Sequence, residues 1–203
     1  MRNILFTLIF SSTFQFTLNA QGQEFAWATQ LGGTDWDQGF SIAVDNNGNV
    51  YTTGFFHGTC DFDPSSGTYN LTSFGFDDIF ISKVDASGNF IWAKQMGGIS
   101  GEQGYSIAVD SDGNVYTTGY FWGTCDFDPG SEIYNLHSFG PSAIFVSKLD
   151  VSGNFVWAKK MGGPGEGKSI AVDNNGNVYT TGVFGDACDF DPGSETYILT
   201  SIG

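Results

Sequence analysis

The sequence predicts an all-β fold in which four-stranded antiparallel units stand as β-propeller blades in an incomplete ring, about two full blades plus partial ones. Three observations predict it. Gly39 to Gly98 aligns without a gap to Gly104 to Gly163 and matches at 43 of 60 positions, while a third copy starts at Gly167 and stops partway at Gly203. Each full copy holds two pairs of short apolar runs joined by turns that contain Asn, Asp or Ser before Gly. No stretch after residue 20 shows an amphipathic helical period, and 29 glycines punctuate the 203 residues. Periodic units of this kind gain their core from their neighbours, either stacked or set in a ring.

The elements follow in chain order. Residues 1–20 read as an export signal: Arg2 gives a short positive start, Ile4 to Leu18 is mostly apolar, and Leu18-Asn19-Ala20 puts a small residue before the expected cut. The apolar run is short for a membrane span and is interrupted by Ser11, Ser12, Thr13 and Gln15. The repeat region is then expected over 21–203, with copies at 39–98, 104–163 and, in part, 167–203. A lone strand around Trp27 comes first, the counterpart of the segments around Trp92 and Trp157, at spacings of 65 and 65.

In the first copy, Ser41 to Val44 and Asn49 to Phe56 flank Asn46-Asn47-Gly48. This is a hairpin signal, because Asn and Gly accept the positive φ that tight turns demand. Ile79 to Val84 and Asn89 to Met96 repeat the pattern around Ala86-Ser87-Gly88. Phe80-Ile81 and Phe90-Ile91-Trp92 are apolar on successive positions, as expected where both faces of a sheet are covered. Between the hairpins lies an insert, Gly58 to Gly75, expected to form an added ribbon or a long loop whose turn opens at Asp63-Pro64. Four-stranded antiparallel units repeated with little between them are how propeller blades look in sequence.

The phrases Ala43-Val44-Asp45, Gly48-Asn49-Val50-Tyr51-Thr52-Thr53-Gly54 and Phe80 to Trp92, ending in Gly97-Gly98, resemble the SBBP-type β-propeller repeat of secreted bacterial proteins. The same words stand at Val109 to Gly119, Phe145 to Trp157 and Val172 to Gly182. The resemblance implies a propeller fold and export, and the Cys-Asp-Phe-Asp-Pro insert suggests a source among Bacteroidetes-like bacteria. The family carries no shared catalytic residues, so the resemblance leaves activity open. A closed propeller takes about four to eight blades. The chain is therefore expected to be a fragment of a longer protein, with the remainder as its neighbour, or else to close by self-association.

Charge narrows the partners. Removing residues 1–20 takes away Arg2 and no acid, so 6 basic and 22 acidic residues leave a net −16. Nucleic acid and anionic membrane surfaces are poor partners for such a chain, since binding them requires positive charge to displace counterions. Cys60, Cys125 and Cys188 hold the same place in their copies, spaced 65 and 63. Equivalent cysteines sit a whole unit apart, too far for a bridge, so they are expected to be small buried side chains.

The candidate ligands are the acidic pairs of the inserts, Asp61 and Asp63, Asp126 and Asp128, and Asp189 and Asp191. In an extended segment, residues i and i+2 face the same way, so each pair could offer carboxylates to Ca²⁺. The competing reading is a turn in which Asp caps backbone amides ahead of proline while Phe62, Phe127 or Phe190 plugs the core. The Asp45-Asn46-Asn47-Gly48-Asn49 and Asp110-Ser111-Asp112-Gly113-Asn114 loops read as hairpin turns, since the second has Phe121 where a calcium loop needs Glu. His57 and His137 vary between copies and are expected to be exposed; no nucleophile has an evident histidine partner. The position shared by His57, Trp122 and Gly185 is a candidate recognition surface. The expected function is an exported, non-catalytic module that binds a protein or glycan at the cell surface. The alternatives are a calcium-stabilised spacer of a larger secreted protein and the non-catalytic part of a secreted enzyme.

Overall fold

The computed structural model describes residues 4–8, 25–138 and 140–202, and these contain strands and no helix. Strand β1 (Ile4–Leu8) pairs in parallel with β2 (Phe25–Gln30). The rest of the expected leader, 1–3 and 9–20, lies outside the described residues. A two-residue strand, β3 (Gly32–Gly33), leads into the first blade. That blade holds β4 (Asp37–Val44), β5 (Val50–Asp61), β6 (Asn70–Val84) and β7 (Phe90–Gly98), paired antiparallel in chain order.

The second blade is β8 (Gln103–Val109), β9 (Val115–Phe121), β12 (Ala143–Leu149) and β13 (Phe155–Met161), with β10 (Thr124–Asp126) and β11 (Asn135–His137) forming the insert between β9 and β12. The third comprises β14 (Gly165–Val172), β15 (Val178–Phe184) and the insert pair β16 (Ala187–Asp189) and β17 (Ile198–Thr200). The architecture is an incomplete propeller, with two full blades flanked by partial ones. No described helix is long and apolar enough to cross a membrane.

The hairpins form where the turn chemistry places them. In the first turn the Asp45 carboxylate accepts the amides of Asn47 and Asn49, each at 2.9 Å, and the Asn49 side-chain amide at 2.8 Å. The same arrangement recurs at Asp85, Asp110, Asp150 and Asp173. These loops are turns whose acid is already engaged by its own backbone.

The insert forms a ribbon. In the first blade it extends β5 and β6, through Thr59↔Thr72 and Asp61↔Asn70, and in the other two it is a separate strand pair. The blades are not self-contained four-stranded units. The Gly-Gly pair ending each outer strand bonds to the insert of the next unit, at Gly33↔Cys60, Gly98↔Cys125 and Gly162↔Asp189. The first sheet thereby reads through from β7 to β10 and β11 and reaches seven strands. Glycine is required there, because a Cβ at Gly98 would stand 2.1 Å from the Thr124 carbonyl oxygen.

The core lies between blades. Tyr51, Ile79, Ile81 and Met96 of the first blade meet Val115, Phe121, Phe127 and Phe145 of the second. Phe56, Phe62 and Phe80, on the opposite face, pack with Leu31 of the preceding segment. Each of the two full blades is therefore covered on both faces, as the successive apolar residues of its central strands require, whereas β15 of the third is exposed. The inner strands are tied laterally, with the Ile107 amide donating to Ser41 Oγ at 3.3 Å and the Ile170 amide to Ser106 Oγ at 3.2 Å.

Candidate functional site: an aromatic cleft between the first two blades

A cleft of about 670 Å³ opens where five segments converge at the first blade junction. Asp35 and Trp36 come from the loop before β4, His57 from β5, Phe76 and Asp77 from β6, Ile99 to Gly101 from the blade connection, and Tyr120 and Trp122 from the end of β9. The blade connection is clamped onto β6, with the Phe76 amide donating to the Ser100 carbonyl at 3.1 Å and the Glu102 amide to the Asp77 carbonyl at 2.8 Å. The walls are thus held by backbone, while the side chains they carry face solvent. Trp36 is 71% exposed, Phe76 70% and Trp122 50%. Soluble surfaces seldom leave such rings gathered and uncovered unless something binds them.

The rings continue beneath the cleft. Trp36 meets Phe55 edge-on at 5.7 Å, Phe55 meets Phe40 at 5.7 Å, Phe40 meets Tyr105 at 5.0 Å, Tyr105 meets Tyr120 at 5.5 Å, and Tyr120 meets Trp122 at 6.1 Å. Phe40 and Tyr105 are the extra residues at the register shifts in β4 and β8. A bulge re-aims its side chain, and here it lets successive inner strands touch through rings.

The electrostatics are acidic. Asp77 accepts from Gln103 Nε2 at 3.1 Å and lies 3.7 Å from His57 Nδ1. Behind it, Asp78 and Glu102 are fully buried, and each keeps one carboxylate oxygen with no protein partner among the described residues. Burial pushes Asp78 up to about 6, against the hydrogen bonds from Gln95 and the Phe74 amide that favour its charge. Burial likewise pushes Glu102 up to about 8, with Asp78 and Asp77 adding repulsion.

The insert acids lie outside this cleft, with their carboxylates turned to their own backbone. Asp61, Asp126 and Asp189 each accept two amides through Oδ1, those of residues i+2 and i+8, at 2.8 to 3.1 Å. Asp63, Asp128 and Asp191 accept the amides of Ser65, Gly130 and Gly193. Among the described residues no group of three or more His, Cys, Asp or Glu side chains converges as a metal site. Phe62 packs on Phe56 and Phe80, and Phe127 on Phe121 and Phe145, filling the core beside each pair.

The three cysteines are buried and unbridged. They are not purely apolar neighbours, since Cys60 Sγ donates to Asp37 Oδ1 at 2.8 Å. His57 is half-buried in the cleft beside Asp77, whereas His137 is exposed on the second insert and bonds Thr124 Oγ1 at 2.7 Å. His57 and Trp122, which share one repeat position, both line the cleft at the blade junction. Trp36, Phe76, Asp77, Ile99 and Tyr120 escaped the sequence reading, although mismatches between the two full copies mark several of them.

Comparison with known proteins agrees with the repeat. Residues 26–54, 91–124 and 156–183 match the family model described as a beta-propeller repeat, SBBP. Each matched segment runs from an outer strand through the Gly-Gly pair into the inner two strands of the next blade, so the family unit spans the joint rather than one sheet. An uncharacterized WD repeat-containing protein L264 of Acanthamoeba polyphaga mimivirus is 30% identical over 189 residues, covering 78% of this chain and 13% of that protein. The regulatory protein FlaEY of Caulobacter vibrioides is 30% identical over 110 residues, covering 53% of this chain and 12% of that protein. The chain thus spans about an eighth of the length of either relative.

Proposed function

We propose that this SBBP-type beta-propeller repeat chain is a non-catalytic interaction module of an exported protein, engaging a protein or glycan partner through the cleft between its first two blades. One observation carries the reading. Five cleft residues, His57, Phe76, Asp77, Tyr120 and Trp122, fall in four aligned columns of the two full copies: Phe55/Tyr120, His57/Trp122, Phe76/Pro141 and Asp77/Ser142. All four columns are among the 17 that differ out of 60, that is 60 minus 43. The copies keep what builds a blade and change what lines the cleft, as a binding surface on a repeated scaffold does.

The repeat-protein relatives support an interaction role, and the apolar leader with Arg2 and Leu18-Asn19-Ala20 supports export. The test is binding of the full chain to glycan and peptide arrays, repeated with a Trp36→Ala, Trp122→Ala double variant. Both side chains are exposed, so the variant should keep its melting midpoint and lose its array signals. Array binding that persists unchanged in the double variant overturns the assignment.

A further inference from the structure

The geometry points to a lysine or arginine, carried on a short extended segment of a partner protein, as the group this cleft holds; the inference rests on the reading of the cleft as the binding site. Charge complementarity is the first argument. Asp35 and Asp77 line the cleft, no described lysine or arginine does, and the chain as a whole carries −15. The rings are the second. A cation over the face of an aromatic ring is attracted by the ring quadrupole, tryptophan being the strongest partner, and the attraction grows as water leaves.

The chain itself demonstrates the chemistry. Lys83 stands over Tyr51 and Lys148 over Tyr116, each at 4.9 Å, in equivalent positions of the two full blades. Lys168 stands 4.0 Å over Tyr105 and reaches Glu166 Oε2 at 2.5 Å, so a ring face and a carboxylate together hold an ammonium one ring away from Tyr120. Trp122 with Asp77 and Trp36 with Asp35 offer the same two groups in the cleft, with no described lysine lining it. At about 670 Å³ the space exceeds one side chain and takes a peptide segment. At the second junction Asp35, Trp36 and Asp77 give way to Ser100, Gly101 and Ser142, so one site per chain is expected.

The experiment titrates the full chain with a short peptide alternating glycine with lysine and arginine, following tryptophan fluorescence. A matched peptide with glutamine at the basic positions and an N-acetylglucosamine hexasaccharide serve as the other probes. The expected result is one-to-one binding of the basic peptide, at least about tenfold tighter than its glutamine analogue and weakened by salt. Asp77→Asn and Trp122→Ala should each weaken it by about tenfold or more, whereas Glu132→Gln, an equal charge change on an exposed insert, should leave it within about twofold. Equal binding of the two peptides, or equal loss with Glu132→Gln and Asp77→Asn, overturns the cationic assignment. Trp122-dependent binding of the hexasaccharide alone overturns it too and leaves the cleft as the binding site. If no probe's binding depends on Trp122, both readings fall.

Discussion

The indole Nε1 of Trp92 lies 3.3 Å from the carbonyl oxygen of Val151, 59 residues later in the outer turn of the next blade. The same reach joins Trp27 to the Ala86 carbonyl at 2.9 Å, again over 59 residues. These two outer strands are thus pinned to the blades that follow them. Gly153 in that turn has φ +79, and a Cβ there would stand 2.7 Å from Lys94 Cε and 3.3 Å from Trp92 Cδ2. The residue must be glycine both for the turn and for the tryptophan laid against it. Replacing Trp92 by alanine should cost about 3–5 kcal/mol in urea unfolding followed by far-UV circular dichroism. Replacement by phenylalanine, which keeps much of the ring area and loses the N–H bond, should cost about 1–2 kcal/mol.

Stability should fall as pH rises from about 5 to about 9. Asp78 and Glu102 are held above their ordinary carboxyl values, so the folded chain binds more protons than the unfolded chain between those values and about 6 and 8. Their contribution is complete below the unfolded values and is lost as pH passes through the folded ones, each tenfold difference in proton affinity being worth about 1.4 kcal/mol. Thermal midpoints measured across this range should slope downward, and Glu102→Gln should flatten the upper part of the slope. An upward slope between about pH 5 and 8 would contradict the burial of these two groups.

The insert acids act as backbone caps. Asp126→Ala removes the acceptor for the Asp128 and Tyr134 amides and should cost about 1–3 kcal/mol. The loss should be the same in calcium chloride and in excess chelator, and the parent chain should melt at one temperature in both. A chelator-induced drop in the parent midpoint would instead point to Asp61, Asp63, Asp126, Asp128, Asp189 and Asp191 as calcium ligands.

The thiols should be silent until the chain unfolds. Burial drives the Cys125 thiol well above its usual range, and burial together with the Asp37 carboxylate does the same for Cys60. Cys188 is raised by burial as well. Ellman's reagent should find all three in denaturant and next to none in the native chain, and a reductant should leave the melting midpoint unmoved.

Local chemistry was legible where it repeats. The hairpin turns at Asp45 and Asp85, the ribbon of Gly58 to Gly75 and the burial of Cys60 all follow from residues a few positions apart. The joint at Gly98↔Cys125 was not legible, because it is a backbone pairing between segments of different copies and leaves no side-chain period. His57, expected to be exposed, is half-buried in the cleft. Asp77 comes within 3.7 Å of it, and its repeat partner Trp122 joins the same cleft, only when β6 and β9 are brought to one junction.

The cleft shows the same division. Trp36, Phe76 and Tyr120 lie on three separate stretches, and nothing in their spacing joins them. What did mark some of them was divergence: columns such as Phe76/Pro141 differ between copies that otherwise agree, a sign of change without a place.

By itself, the sequence determined that the chain is a run of β units with turns at set points, because φ preferences and period-two burial act over a few residues. The tertiary structure decided that neighbouring units share backbone bonds at the Gly-Gly pairs, and that rings from distant segments gather in one acidic cleft. Those outcomes depend on how one sheet lies against the next, and the physics that sets this angle is interlocking side-chain packing between blades, which no single stretch of residues contains.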